Sequence, residues 1–217
     1  KRDLVSLADL TREEIQSLLD RAQTLKARLA DGIYDTPLAG RTLAMIFEKP
    51  SLRTRVTFET GIKQLGGASV YLAPADIQLG ARETVADIAR NLSRWVDLVM
   101  ARTYSHAVLE ELAEAADVPV INGLTDLLHP CQVLADAQTL LERFGKLDGL
   151  KVAFVGDGNN VVNSWLNLAA KYDIDFRLGC PIGYEPTSEI LAEARSTAGG
   201  SIEITNDPRA ACDGVDA

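Results

Sequence analysis

The run "TLAMIFEKPSLRTRVTFETGIKQLGGASVYLA", residues 42–73, decides how the chain is read. Residues 42–47 are nearly all apolar, as a strand buried on both faces must be. From about Arg53 to Leu65 the apolar residues Val56, Ile62 and Leu65 recur at helical spacing, and Gly66-Gly67 closes the segment. Residues 68–73 read as a second strand. Strand, helix and strand in succession predict a parallel sheet flanked by helices. The first junction is chemically odd. Ser51, Arg53, Thr54 and Arg55 crowd into the start of the helix, although a helix N-terminus is already positive and favours acidic side chains. Hydroxyls, free backbone N–H groups and arginine forks at such a place are the parts of a phosphate site.

The same rhythm continues outward. Residues 83–96 and 106–116 read as helices, 97–102 and 118–123 as strands, and Pro130 to Phe144 as a longer helix. Gly145–Gly149 reads as a joint. "KVAFVG" then opens a second sheet, followed by a helix (160–172), a strand (175–180), a helix (187–198) and a strand (201–205). The sequence stops at "CDGVDA", where a further strand would be expected to start. The predicted fold class is α/β, with two parallel-sheet α/β domains, residues 1–145 and an incomplete second domain at 146–217. The opening "KRDLVSLADLTREEIQSLL" reads as an amphipathic helix rather than a signal peptide.

Composition narrows the function. The 217 residues carry a net charge of −9, which argues against nucleic acid as a partner, because phosphate-backbone binding needs a broad basic surface. No apolar run is long enough to span a bilayer, so no membrane is expected. Cys131, Cys180 and Cys212 are few, scattered and odd in number. They imply neither a disulfide framework nor a zinc site, and a reducing, cytoplasmic setting is expected. Two distant histidines predict no metal centre.

In open parallel sheets, ligands bind beyond the C-terminal ends of the strands. The first strand end carries Ser51, Arg53, Thr54 and Arg55, and the second carries "PADIQLG". The third carries Arg102-Thr103, and the fourth leads through "NGLTDLLHPCQ" to His129 and Gln132. Each piece also has a plainer reading: Ser51 as a helix cap, Arg53 and Arg55 as solvated charges, Arg102 in a structural ion pair, His129-Pro130 as a turn. Polar groups from four loops at one edge favour a site. "VGDGNN" (155–160) invites a dinucleotide reading, but Val161 stands where the fingerprint requires glycine or alanine. Asn159 and Asn160 are also natural caps for the helix that follows. No Gly-x-Ser-x-Gly elbow appears.

Taken together, "SLRTR" (51–55), "MART" (100–103), "HPCQ" (129–132) and "FVGDGNN" (154–160) resemble the aspartate/ornithine carbamoyltransferase family in order and spacing, and the last segment favours its ornithine branch. The resemblance implies transfer of the carbamoyl group from carbamoyl phosphate to the δ-amine of L-ornithine, giving citrulline and phosphate in arginine metabolism. It implies a carbamoyl-phosphate-binding domain at 1–145 and a truncated, Rossmann-like ornithine-binding domain at 146–217, since the family's later acceptor motifs have no counterpart here. Ser51, Leu52 (through its backbone), Arg53 and Thr54 would hold the phosphate. Arg102 would reach phosphate and carbonyl oxygens, His129 and Gln132 the carbamoyl group, and Asn160 the ornithine. Arg53, Arg102 and His129 would be the catalytic residues. Gln78 would serve a neighbouring subunit's site, which implies a homotrimer. No cofactor or metal is implied. Two alternatives stay open: a carbamoyltransferase acting on putrescine or an acylated ornithine, and a non-catalytic anion-binding module.

Overall fold

A computed structural model describes residues 1–80 and 82–217. Along the chain lie α1 (Arg12–Ala30), β1 (Thr42–Phe47), α2 (Leu52–Gln64), β2 (Ala68–Leu72), α3 (Pro74–Ile77), α4 (Val85–Trp95), β3 (Leu98–Arg102), α5 (His106–Ala115) and β4 (Val120–Leu124). Then follow α6 (Pro130–Phe144), β5 (Leu150–Val155), α7 (Asn160–Ala169), β6 (Ile174–Gly179), α8 (Ser188–Thr197), β7 (Ile202–Thr205) and α9 (Pro208–Cys212). Two compact units result. The first comprises Lys1–Val5 and Arg21–Asp126, the second Ser6–Asp20 and Leu127–Ala217. These units are drawn differently from the segments 1–145 and 146–217, because α6 packs on α7.

The first unit is built on a parallel sheet of order β2-β1-β3-β4. Strands β1 and β3 are central and buried on both faces, which is why they are nearly continuous apolar runs. On one face Ala44, Ile46, Val99 and Ala101 pack with Ile88, Ala89 and Leu92 of α4 and Leu109 and Leu112 of α5. On the other, Leu43, Met45, Phe47 and Met100 pack with Ile62 of α2. The chain leaves β1 for β2 on one side and later returns to β3 on the other. That reversal opens a crevice above the C-terminal ends of β1 and β3. Register places Phe47 beside Arg102 there.

The second unit carries a parallel sheet of order β5-β6-β7. Its α7 is buried on every side from Val162 to Ala169, and Trp165 stacks on Phe176 of β6 at 5.8 Å and 11°. Gly145 ends α6 in the left-handed conformation at φ 74°, the geometry that favours glycine at a helix stop. The "CDGVDA" end also behaves as expected of an incipient strand: Ala153 N–H donates to Ala217 O at 2.8 Å, and Asp216 N–H to Lys151 O at 2.8 Å. The short helix α9 precedes it and was not anticipated.

One expectation is corrected. The N-terminal segment is not helical from residue 1. Leu4 instead lies along the outer edge of β4, its N–H donating to Val120 O and its carbonyl accepting from Asn122 N–H. The helix starts at Arg12 because Thr11 and Glu14 form a reciprocal capping box, each backbone N–H donating to the other's side chain. Among the described residues, no helix is long and apolar enough to cross a membrane.

Two tests follow from the packing. A Cβ at Gly158 would stand 2.2 Å from the backbone nitrogen of Pro186. Gly158→Ala is therefore expected to cost about 1–3 kcal/mol, the usual range for overpacking, read as a lower Tm. The second concerns acid. Hydrogen bonds from the Arg41 side chain and then the Thr42 N–H hold the Asp97 carboxyl below its ordinary value of 3.8. The N–H and then the hydroxyl of Ser201 do the same for Asp175. Their stabilisation is complete above 3.8 and is lost as pH falls through the lower folded-state values. Asp97→Asn and Asp175→Asn should each flatten the acid limb of stability against pH.

Candidate functional site

In the first unit the site grows out of the β1–α2 junction. Ser51 is extended, at φ −157° and ψ 120°, and caps α2 by accepting from Thr54 N–H. Its hydroxyl lies 3.1 Å from Thr54 Oγ1. The plain capping role of Ser51 is thus real. It leaves the first N–H groups of the helix, at Leu52 and Arg53, directed outward without intrahelical partners. The first turn of α2 holds no acidic residue, and the Leu52 side chain is 79% exposed, so only its backbone is suited to an anion.

The two arginines of "RTR" separate here. Arg55 is engaged structurally: its guanidinium lies 3.8 Å from the centroid of the Tyr71 ring on β2 and pairs with Glu59 at 3.5 Å. Arg53 makes no described ion pair. Arg102, ending β3, is half-buried, and its Nε is fully enclosed without a hydrogen-bond partner. Burial, and then repulsion from the Arg53 guanidinium, push the Arg102 pKa down. Two cations are therefore held within each other's field, and no carboxylate among the described residues pairs with either. The plainer reading of Arg102, a structural ion pair, finds no partner among the described residues.

Neighbouring loops hold this junction in place. The Glu48 carboxylate accepts from Tyr104 N–H at 2.9 Å, and Glu48 N–H donates to Arg102 O at 2.9 Å. Lys49 pairs with Asp126 and lies over the Tyr104 ring, 4.4 Å from its centroid. The loops after β1, β3 and β4 are thereby tied together. Gln78 ends α3 in the left-handed conformation, φ 42° and ψ 54°, on the loop after β2, the strand paired with β1. It makes no described contact with Ser51, Arg53, Thr54 or Arg102.

The second unit brings three other expected residues together. His129 stands at the N-cap of α6, before Pro130. Its backbone N–H donates to Ser164 Oγ at 2.8 Å, and that hydroxyl donates to Asn160 O at 2.9 Å. His129 and Asn160 are thus linked through one buried serine. Gln132 lies on the first turn of α6, its N–H donating to His129 O at 3.2 Å. Asn159, not Asn160, is the cap of α7, accepting from Val161 and Val162 N–H. Asn163 braces the same region, donating to Leu127 O and Thr187 Oγ1, each at 3.1 Å.

Ser164 and Asn163 are the residues sequence reasoning missed. Their signal was present: polar side chains interrupting "NVVNSWLNLA" on faces that a surface helix would leave wet. Among the thiols, desolvation pushes Cys131 up to about 12, which makes it a poor nucleophile at neutral pH. Ser164→Ala would leave the His129 N–H without its partner. Because Ser164 is 1% exposed, the expected loss is about 1–3 kcal/mol, read by denaturant unfolding.

Comparison with known proteins identifies the family. The family model described as "Aspartate/ornithine carbamoyltransferase, carbamoyl-P binding domain" matches residues 2–142. Its companion, "Aspartate/ornithine carbamoyltransferase, Asp/Orn binding domain", matches residues 148–217. The chloroplastic ornithine carbamoyltransferase of Pisum sativum is 49% identical over 216 residues, 99% of this chain and 58% of its own length. That of Oceanobacillus iheyensis is 52% identical over 95% of this chain and 65% of its own length. The solved structure of the Pyrococcus furiosus ornithine carbamoyltransferase superposes with a TM-score of 0.97 at 48% identity, covering 99% of this chain and 70% of that one. The chain thus spans 58–70% of the length of these relatives. Matched along both of its segments by one pair of domain models, the chain belongs to the aspartate/ornithine carbamoyltransferase family.

Proposed function

We propose that this chain belongs to an ornithine carbamoyltransferase, which moves the carbamoyl group of carbamoyl phosphate to the δ-amine of L-ornithine and releases citrulline and phosphate. One observation carries the reading: at the crevice above β1 and β3 Arg102 has its Nε enclosed without a hydrogen-bond partner, and no carboxylate among the described residues pairs with it or with Arg53. Like charges kept together at a helix N-terminus await an anion, and a phosphate group satisfies both forks and the hydroxyls of Ser51 and Thr54.

The neutral δ-amine attacks the carbamoyl carbon. A C–N bond forms, the carbonyl electrons move to oxygen, and the tetrahedral species collapses by breaking the C–O bond to phosphate as the nitrogen sheds its proton. Negative charge first grows on the carbonyl oxygen and then on the departing phosphate. Arg53, Thr54 and Arg102 oppose it as fixed donors, which outweigh mobile solvent because they need no reorganisation. His129 and Gln132 serve the carbamoyl group, His129 as a hydrogen-bond donor to its carbonyl, and Asn160 serves the ornithine. Leu52 contributes its backbone N–H alone. Gln78 serves the site of a second subunit in a homotrimer. The three free thiols fit a reducing compartment such as the cytoplasm, where arginine biosynthesis would use the product.

Calorimetric titration of the 217-residue chain with carbamoyl phosphate tests the proposal. Native chain should bind, and Arg53→Ala should bind about ten- to a hundredfold more weakly, the scale of one charge-assisted hydrogen bond. A well-folded native chain that binds no carbamoyl phosphate would sink the reading.

A further inference from the structure

Gln132 is held from below by a group that the proposed reaction has not used. Its Nε2 donates to Asp136 Oδ1 at 2.9 Å, one turn along α6. The second oxygen of Asp136 accepts from the Trp165 indole Nε1 at 3.3 Å. Trp165 is 5% exposed on α7 and stacked on Phe176, so this donor is locked by packing. A Gln–Asp pair four residues apart can be no more than a helix-surface bond. The bond from a separate, buried helix sets this pair apart.

The chemistry of the three groups fixes their orientation. An ionised carboxylate only accepts, and an indole N–H only donates. Asp136 therefore takes one donor on each oxygen, and Gln132 must turn its NH2 inward. What it can offer a ligand is its carbonyl oxygen. That end accepts from the N–H of a carbamoyl group, whereas inorganic phosphate can meet it only through an O–H, its unprotonated oxygens meeting acceptor against acceptor. Had the amide been free to rotate, its NH2 would have welcomed either ligand.

We propose that Asp136, backed by Trp165, is a positioning residue that sets the amide of Gln132 and so makes the site prefer carbamoyl phosphate over inorganic phosphate. The preference arises as much from rejecting the wrong ligand as from binding the right one. It rests on the assignment of Gln132 to the carbamoyl group. Asp136 touches no substrate itself.

The test is the ratio of affinities for carbamoyl phosphate and inorganic phosphate, measured by calorimetry on the 217-residue chain and its variants, each checked for folding by thermal melt. In Asp136→Asn the new amide has one acceptor, which Trp165 claims, and an NH2 that now faces Gln132. Gln132 turns over and offers its NH2, so the ratio should fall roughly tenfold, the scale of one hydrogen bond, while phosphate binds as well as before or better. A merely structural role would weaken both ligands together. Gln132→Ala should also lower the ratio. If it does and Asp136→Asn does not, the inference is overturned while the role of Gln132 stands. A ratio unmoved by Gln132→Ala, or a native chain without preference, overturns both. Should Asp136→Asn fail to fold, the double variant Asp136→Leu/Trp165→Phe removes the carboxylate together with the buried indole donor it accepts from, and keeps a ring on Phe176. A fall in the ratio then supports the inference, and an unchanged ratio overturns it.

Discussion

The parallel pairing of β1 with β3 is the constraint on which the first unit depends. It sets Phe47 beside Arg102, so that the loop bearing Arg53 and the strand ending in Arg102 leave the sheet next to one another. Insert β2 between them and each would move apart by a further strand spacing, about 4.8 Å, and the shared field would weaken. The arrangement carries a cost: two guanidiniums repel, and burial penalises the charge of Arg102. The surrounding contacts resist the separation that would relieve it. Glu48 holds the Tyr104 backbone, and Lys49 spans to Asp126 across the Tyr104 ring. An anion bound there, as proposed, would relieve the repulsion without any of these bonds breaking.

The second unit solves a different problem. Its central helix α7 is enclosed on all sides, so each of its polar side chains must find a partner inside the protein. Ser164 relays a bond between His129 and Asn160, Asn163 ties the chain at Leu127 to Thr187, and the Trp165 indole reaches Asp136. Burial that looks like a liability thus becomes rigidity. Polar groups in a low-dielectric interior are held in one arrangement because every alternative leaves a donor unmet.

Much of this could be read from the residues alone. The central strands announce themselves as apolar runs, the crossover helix by its spacing and its glycine stop, and the candidate anion site by arginines placed where a helix start favours acids. What stayed hidden shares a cause. The division between Arg53 and Arg55 depends on Tyr71, which lies on another element, and periodicity reports which face is buried without naming the partner. Ser164 reaches His129, and Trp165 reaches Asp136, across 29 or more residues of chain. The overextended N-terminal helix is a different error: "TREE" carries a capping box that fixes the start at Arg12, and an amphipathic pattern upstream of it masked that stop.

The proposed reaction needs two unlike kinds of recognition. Guanidiniums and helix N–H groups attract through charge, which is strong and tolerant of geometry. Such groups alone would hold any phosphate, and a product of the proposed reaction is itself one. Discrimination has to come from groups whose donor and acceptor ends differ, and an amide is the side chain with both ends nearly equal in size. That equality is also its weakness, since a half-turn exchanges the ends at little steric cost. An amide can discriminate only if something else forbids the turn, and a carboxylate does so because it has no proton to give. The pairing of Gln132 with Asp136, one helical turn apart and anchored from α7, converts an ambiguous group into a directional one.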